Sequence, residues 1–427
     1  MSEVSSLWTG LPDIALLEVF SYLATPQDRW NASLVCKHWS RFFSHPKIWE
    51  DVELNSHRSD DLTVASIRRF GVHFRRVKVH NSTFFFGVRD ILREIAQRCE
   101  KVEVFILEPT FRTHEPIYLG IMAELMVTFN KLCDLREVRL PFLQTTGTDS
   151  YNPLKSIGTN SAQTLTVLDV TEFTRYPRPL STIIKLKHIR SLGISYQNLT
   201  EDILLAMKEH RTLQDLTIVR SHAKPLSGNG TTLPGSIWQD LLYELPDLRV
   251  HLVLTEEAPL SCPKGIPAIS YAVADHNNPN SVQLNRLVSK LILTYSETLQ
   301  NFVIKADNSF YWDLQLAQLA RRCSNMRVVI VDGTVTLESL VQACRQWDKL
   351  ELLYVKQSKI TSNGESLYQV DKDQPQLEEL SRILGYPWRP LEDEEFFQKT
   401  KKFLRKTMTT AVLRRAPPKV DDKGYRY

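Results

Sequence analysis

Hydrophobic residues recur through most of this chain in one short phrase: an apolar residue, two variable residues, an apolar residue, one variable residue and a last apolar residue. The alternation at its end is typical of a strand with one buried face. Clear copies are Phe74-Val77-Val79, Val102-Phe105-Leu107, Leu135-Val138-Leu140, Leu165-Leu168-Val170, Ile189-Leu192-Ile194, Leu213-Leu216-Ile218, Leu299-Phe302-Ile304, Met326-Val329-Val331 and Leu350-Leu353-Val355. Degenerate copies lie at Leu248–Leu254, with His251 in an apolar slot, and at Ile266–Val273.

Amphipathic segments with a helical period separate these phrases. They span residues 88–100, 117–133, 201–210, 282–299, 311–323 and 337–347. A strand followed by a helix, repeated every 24 to 35 residues, predicts an α/β solenoid. Its parallel strands would line one face and its helices would cover the other. The copies carry no regular asparagine or cysteine ladder, so a non-repetitive α/β domain is the alternative.

The N-terminal segment, Leu11–Trp49, has a different pattern that predicts three short helices. Pro12 followed by Asp13 marks a helix start, and Thr25 is a suitable N-cap for a second helix. The apolar faces of the three helices carry Leu16, Val19, Phe20 and Leu23, then Ala32, Leu34 and Val35, then Trp39, Phe42 and Phe43. About 40 residues are too few to bury this much apolar surface alone, so the segment is expected to need a partner.

This segment resembles the F-box motif. The resemblance is carried, in order and spacing, by Leu11-Pro12, Val19-Phe20, Leu23, Leu34-Val35-Cys36, Trp39, Pro46 and Trp49. Arg29 and Trp30 depart from the family pattern, because many F-boxes carry small aliphatic residues there. An ordinary three-helix cap on a repeat domain is the alternative.

The resemblance implies that the module packs against the C-terminal helices of a Skp-family adaptor, which joins a cullin–RING ubiquitin ligase. The residues implied to contact the adaptor are Leu11, Pro12, Leu16, Val19, Phe20, Leu23, Leu34, Val35 and Trp39, with Trp49 closing the module.

The whole layout resembles F-box proteins with a C-terminal leucine-rich-repeat-like domain, and within them the group of F-box only protein 39. The segments at 28–39 and 248–256 and the acidic-then-basic terminal helix carry that second resemblance. The expected domains are an N-terminal extension at 1–8, an F-box at 9–52, a linker helix at 53–70, a degenerate leucine-rich-repeat solenoid at 71–371, a helical cap at 372–415 and a disordered tail at 416–427.

The strand register predicts which side chains meet water on the sheet. The later repeats would expose the apolar residues Val303, Val328, Ile330, Leu352 and Tyr354. An exposed apolar patch is usually an interaction site, so these are candidate substrate-binding residues. The alternative is that the C-terminal region of the chain covers them, or that the strands are buried on both sides.

The first repeat would expose basic residues instead. Arg76, Lys78 and His80 alternate along one strand and could meet an acidic or phosphorylated segment of a substrate. The alternative is a basic strand face that is simply solvated.

Past residue 372 the repeat stops, and helices are expected at 376–384 and 391–413. The second opens with the acidic run 392–395, and a basic cluster follows at Lys399, Lys401, Lys402, Arg405 and Lys406. Acidic residues early and basic residues late match the helix macrodipole. Binding of nucleic acid or phosphate by the basic cluster is the alternative.

Composition changes this picture little. The 427-residue chain is 42% hydrophobic and carries a net charge of +4, too small to indicate nucleic acid or a membrane surface as a partner. The six cysteines, Cys36, Cys99, Cys133, Cys262, Cys323 and Cys344, show no paired spacing, so no metal or other cofactor is expected. Scattered cysteines and an N-terminus without a signal-peptide pattern favour the cytoplasm or nucleus.

Spacing also shows no set of Ser, Cys or His residues that would support catalysis. The resemblance to the F-box motif implies the leading hypothesis, a non-catalytic, substrate-recognition subunit of an SCF-type (Skp–cullin–F-box) ubiquitin ligase, acting on an unknown protein substrate. A scaffold that binds partners without promoting ubiquitination is the first alternative. A hidden enzyme or repeat-based binder with a vestigial F-box is the second.

Overall fold

The computed structural model describes residues 11–55, 61–81, 85–109, 118–141, 152–171, 181–220, 233–254, 265–274, 281–305, 311–362, 366–367 and 370–407. The chain forms two compact units, Met1–Arg190 and Ser191–Tyr427. The predicted extension at 1–8 and the predicted tail at 416–427 lie outside the described residues.

The first unit opens with three short helices, and strands and helices then alternate. The elements are α1 (Asp13–Ser21), α2 (Pro26–Ser33), α3 (Lys37–Phe42), a 3-10 turn (Pro46–Trp49), β1 (Asp51–Asn55), α4 (Asp61–Phe70), a 3-10 turn (Gly71–His73), β2 (Arg76–Asn81), α5 (Phe85–Arg98), β3 (Val104–Pro109), α6 (Tyr118–Lys131), β4 (Glu137–Arg139), α7 (Pro153–Asn160), β5 (Val167–Val170) and a 3-10 turn (Ser181–Lys185). The strands β1 to β5 are parallel and pair in chain order.

The second unit continues the alternation and ends in two longer helices. Its elements are β6 (Ser191–Ser195), a 3-10 turn (Tyr196–Asn198), α8 (Glu201–His210), β7 (Asp215–Arg220), α9 (Gly235–Glu244), β8 (Arg249–Leu254), β9 (Ala268–Ala274), α10 (Ser281–Tyr295), β10 (Asn301–Lys305), α11 (Asp313–Arg322), β11 (Val328–Asp332), β12 (Val335–Thr336), α12 (Leu337–Cys344), β13 (Leu352–Val355), a 3-10 turn (Gln357–Lys359), β14 (Ile360–Ser362), β15 (Ser366–Leu367), α13 (Val370–Leu384) and α14 (Asp393–Thr407). The strands β6 to β11 and β13 form a parallel sheet in chain order, and β12, β14 and β15 form a small separate sheet.

The predicted α/β fold with parallel strand–helix repeats is confirmed. Every apolar residue of the nine clear phrases is buried, and the two degenerate copies form β8 and β9. The predicted helix cap is present as well, because the Oγ1 atom of Thr25 accepts the N–H of Asp28 at 3.1 Å. In the first unit, the helix α6 packs on the sheet through the ring contact between Phe105 of β3 and Phe129 of α6, with centroids 5.2 Å apart.

The segment expected to form a linker helix contains the end of a strand before its helix. Residues 53–70 form the end of β1 and the helix α4, with residues 56–60 outside the described part. The phrase repeats here as Trp49-Val52-Leu54, and all three side chains are fully buried. The first repeat therefore begins inside the segment that resembles the F-box.

The assignment of His251 to an apolar slot is wrong. The register places His251 opposite Thr217 and Ser270, whereas Val250 and Leu252 lie opposite core residues. A β-bulge between Val250 and His251 accompanies this shift in the pairing of β8 with β9. His251 thus lies on the sheet face opposite the helices, which we call the outer face.

The C-terminal region contains the two predicted helices with different bounds. The helix α13 begins at Val370, six residues before the predicted start, and α14 spans Asp393–Thr407. The predicted continuation at 408–413 lies outside the described residues.

Candidate docking surfaces

The N-terminal module is organised around a few fully buried side chains. The Trp49 ring stacks on Phe70 of α4 with centroids 4.2 Å apart, and its Nε1–H donates to the carbonyl of Phe43 at 2.6 Å. Phe20 and Leu16 of α1 expose none of their surface. These aromatic contacts stabilise the packing of three helices that are too short to form a large hydrophobic core.

Arg29 lies inside this core although it is charged. Its side chain is 1% exposed, its guanidinium carbon lies 5.0 Å from the Trp49 ring, and its Nη2 atom donates to the carbonyl of Asp51. The Nε and Nη1 atoms have no hydrogen-bond partner among the described residues. Burial lowers the pKa of Arg29 to about 10, against the opposing effect of Asp51.

The module also exposes apolar side chains. Ile14 of α1 is 82% exposed, and Tyr22, directly after this helix, is 78% exposed. Leu34 and Val35, directly after α2, are 66% and 61% exposed. Single exposed apolar residues are common. Four of them within one stretch of 22 residues, in a module with a buried aromatic core, are an unusual concentration. We call these four residues the apolar ridge.

The ten predicted adaptor contacts divide into three groups. Leu16, Phe20 and Trp49 are buried in the chain's own core, where they present no surface to a partner and instead support the ridge. Leu11, Val19, Leu23 and Trp39 are half-buried. Pro12, Leu34 and Val35 are exposed.

Ile14 and Tyr22 were not among the predicted contacts. Their signal is in the sequence, because both lie on the helix stripe opposite the buried pair Leu16 and Phe20, at a spacing of eight residues. The resemblance implied contacts only for the residues that define the motif, and several of these lie in the interior of the module.

The module is hydrogen-bonded directly to the first strand of the sheet. The N–H of Glu53 donates to the carbonyl of Ala24 at 2.9 Å, and Arg29 reaches the carbonyl of Asp51. The carbonyl of Glu50 accepts the N–H groups of both Arg75 and Arg76, at 2.9 and 2.8 Å. The helices and the sheet of the first unit therefore share one continuous backbone network.

On the outer face of the first unit, the predicted basic strand is neutralised. Lys78 lies 3.0 Å from Glu53 and 3.4 Å from Glu108, and His80 Nε2 lies 2.8 Å from Glu53. Arg76 pairs with Asp51 at 3.4 Å. Carboxylates on the neighbouring strands therefore pair with both Arg76 and Lys78, and the binding of a substrate by these two residues stays a prediction.

Glu53 is the centre of this charged cluster. Its hydrogen bond with His80 is the largest cause that lowers the pKa of the Glu53 carboxyl from 4.5 to about 2, and the charge of Lys78 adds to the effect. The carboxylate is thus strongly stabilised as an anion in the folded protein.

The predicted apolar patch on the later repeats is also not open. Val303 and Ile330 are fully buried and Val328 is 7% exposed, whereas Leu352 and Tyr354 are half-buried. These residues do share one face of the sheet, because Val303, Ile330 and Tyr354 are paired neighbours on adjacent strands. The expected exposure is wrong, and the alternative of a covered face is favoured.

The C-terminal helix α14 contributes to this cover. Lys399 lies 5.7 Å from the Tyr354 ring, and Lys356, which follows β13, lies 5.5 Å from the ring of Phe396 on α14. Phe396 and Leu404 are buried although they are on a surface helix. The helix therefore packs on the outer face at β13.

A buried polar row crosses the outer face of the second unit. His251 Nδ1 lies 2.8 Å from Ser270 Oγ, Asn301 Nδ2 donates to the same oxygen at 2.8 Å, and His251 Nε2 lies 3.4 Å from Asp215. No local pattern along the chain predicts that these distant residues meet. Ser270 is 0% exposed and His251 is 2% exposed, so the row satisfies buried polar groups and offers no surface to a substrate.

Two further findings concern other kinds of site. Among the described residues, no three His, Cys, Asp or Glu side chains are grouped so that they could hold a metal ion. Within the same residues, no helix has the length and apolar character needed to cross a membrane.

Comparison with known proteins gives one family match and remote structural similarity. The family model described as F-box-like matches residues 8–55. The structure of the leucine-rich repeat-containing protein LegL7 from Legionella pneumophila is similar over 78% of this chain and 97% of that chain, at 11% identity and a TM-score of 0.35. The TLR13–ssRNA13 complex is similar over 73% of this chain and 42% of that chain, at 12% identity and a TM-score of 0.30. No curated protein matches the chain.

The family match covers the three helices, the buried Trp49 and the strand β1, which agrees with the continuous network between module and sheet. The strands and helices after it repeat in the manner of leucine-rich repeats, with parallel strands in chain order within each unit. Residues 8–55 are thus an F-box-like domain, and it is followed by leucine-rich-repeat-like strand–helix units.

Proposed function

We propose that this protein is the substrate-recognition subunit of an SCF-type ubiquitin ligase. The F-box-like domain docks a Skp-family adaptor, and the repeat units hold a protein target. The apolar ridge is the observation that carries the proposal, because the region matched by the family model exposes Ile14, Tyr22, Leu34 and Val35 above a buried aromatic core. An exposed apolar surface of this kind is stabilised when a partner covers it.

The hydrogen bonds between the module and β1 support the same function. A subunit of this class contributes no reacting group of its own and acts by holding a target lysine near a conjugating enzyme. Such positioning needs a fixed connection between the adaptor site and the repeats. The bonds from Glu53 to Ala24 and from Arg29 to Asp51 supply that connection at the start of the first unit.

The proposal is tested by co-purifying the full chain with the Skp-family adaptor. We expect the wild-type chain to retain the adaptor and a Leu34→Asp/Val35→Asp variant to lose at least about tenfold in affinity, because the interface would bury two unpaired carboxylates. Both side chains are exposed in the free chain, so the substitutions leave its core intact.

Leu293→Asp/Leu314→Asp is the matched control, since these leucines are 85% and 63% exposed on helices of the second unit. The control should retain the adaptor. A folded Leu34→Asp/Val35→Asp variant that still binds normally would contradict the docking surface. Adaptor binding without cullin-dependent turnover of any bound target would favour the scaffold hypothesis instead.

The assignment to the F-box only protein 39 group and the location in cytoplasm or nucleus stay predictions from the sequence.

A further inference from the structure

The cations of this chain are not equally available to a partner. On the outer face of the first unit, Arg76 and Lys78 are paired with carboxylates, and Arg139 is paired with Glu137. On α14, Lys399 is paired with Glu395 at 2.9 Å and lies over Tyr354. None of these groups offers an unneutralised positive charge to an acidic ligand.

The far end of α14 is different. Gln398, Lys401, Lys402 and Lys406 line an open groove of about 480 Å³. Lys402 and Lys406 are exposed, and neither forms an ion pair within the described part of the chain. The Lys401 ammonium lies 5.8 Å from the Phe397 ring, a contact that holds this third charge close to the helix surface. We call these four residues the basic groove.

We propose that the basic groove binds an acidic segment of a protein target, which would deepen the proposed function and rests on it. Lys402 and Lys406 are four residues apart, so they are separated by about 6 Å along the helix axis. In an extended peptide, side chains on the same face are about 6.6 Å apart. An extended segment with acidic residues at alternate positions therefore matches the spacing of the two exposed ammonium groups.

The surroundings of the groove favour a peptide over a nucleic acid. Among the described residues, no aromatic ring lines it, so they offer bases nothing to stack on, and stacking supplies much of the affinity for single strands. Glu394 is bonded to Gln398 at 2.6 Å and places a negative charge beside the groove, which would repel a long phosphate backbone. A short acidic segment needs to contact only the lysines of the basic groove.

Fluorescence anisotropy on the full chain tests the proposal. The probe is a labelled peptide of alternating glutamate and glycine, compared with a peptide in which glutamine replaces glutamate. At low ionic strength we expect the glutamate peptide alone to bind, and its affinity should fall as salt is added. Lys402→Glu/Lys406→Glu should raise its dissociation constant by about fivefold to tenfold.

Arg286→Glu/Lys290→Glu is the matched control. These residues are exposed on α10 with the same four-residue spacing, and the substitutions change the net charge of the chain by the same amount. The control should bind the glutamate peptide as the wild type does. Equal weakening in both variants would show a general charge effect and overturn the site, as would equal binding of the glutamine peptide.

Two further arms separate the proposal from its competitors. A labelled single-stranded oligonucleotide that binds the wild type more tightly than the peptide, and loses binding in Lys402→Glu/Lys406→Glu, would replace the peptide with nucleic acid. Adaptor co-purification should be unchanged in Lys402→Glu/Lys406→Glu, because these lysines lie in the second unit. Failure of adaptor docking in the wild type would remove the ligase function and leave the peptide measurement to decide the groove.

Discussion

At the scale of single residues, Arg29 is the side chain that departs most from its surroundings. A guanidinium with one hydrogen bond and two unpartnered nitrogens is desolvated without full compensation. Replacement by an apolar side chain of similar volume should therefore be tolerated. We expect Arg29→Met to leave the free energy of unfolding within about 1 kcal/mol of wild type, or to raise it.

Arg29→Ala is the informative comparison, because it leaves a cavity beneath the Trp49 ring and should lower that free energy by about 2 to 3 kcal/mol. Urea unfolding of both variants measures the difference. If Arg29→Met destabilised as strongly as Arg29→Ala, the guanidinium would be contributing more than packing.

Glu53 makes a pH-dependent contribution at the same scale. Its pKa is lowered from 4.5 to about 2 in the folded chain, so it stabilises the fold above pH 4.5, and this effect is lost as the pH falls through about 2. Because the side chain is 33% exposed, we expect Glu53→Gln to lower the free energy of unfolding at pH 7 by only about 1 to 2 kcal/mol.

Chemical denaturation at several pH values tests this. The difference between wild type and Glu53→Gln should shrink as the pH is lowered from 4.5 towards 2. Glu351→Gln is the control, since Glu351 is 65% exposed in its pair with Arg327. This substitution should change the free energy of unfolding by about 0.5 kcal/mol or less. A difference that stayed constant with pH would assign the Glu53 effect to packing instead of charge.

At the scale of elements, the last strand of the sheet is covered along its free edge. The Nε1–H of Trp388 donates to the carbonyl of Leu353 at 2.9 Å, and the N–H of Leu353 donates to the hydroxyl of Tyr386 at 3.4 Å. The N–H of Leu391 donates to the carbonyl of Val355 at 2.9 Å. A segment without regular structure thus satisfies the edge that would otherwise pair with another chain.

Trp388→Phe tests the importance of this edge. It keeps most of the ring but leaves the carbonyl of Leu353 without its donor, so we expect a loss of about 1 to 3 kcal/mol in the free energy of unfolding. Trp30→Phe is the control, because Trp30 is 41% exposed and should change stability by less than about 0.5 kcal/mol. Similar effects of the two substitutions in urea unfolding would argue against a role for the hydrogen bond.

At the scale of the whole molecule, the sequence was sufficient for the periodic features. The apolar phrase located the strands because burial at Val77 or Leu216 needs only local alternation. The F-box-like region was found because its motif is contiguous. The strand β1 was not predicted because Trp49 was assigned to the F-box motif alone. Trp49 is also the first residue of the apolar phrase that contains β1.

The features that the sequence did not predict depend on contacts between residues that are distant along the chain. Alternation assigned Val303 and Ile330 to the outer face, but it carries no information on whether another element covers that face. The neutralisation of Lys78 depends on Glu53, 25 residues earlier, and becomes visible only once β1 is paired with β2. For the same reason, no pattern indicated that Asp215, His251 and Ser270 would meet.

The double membership of Trp49 has a consequence for how such proteins are recombined. A fragment cut at Asn55 would keep every residue of the family match. It would nevertheless remove Phe70 from the Trp49 ring and leave the carbonyl of Glu50 without the amides of Arg75 and Arg76. A chimera that grafts a new target-binding region onto this adaptor module should therefore be joined after Asn81. The piece that must be kept together is therefore longer than the motif by which it is recognised.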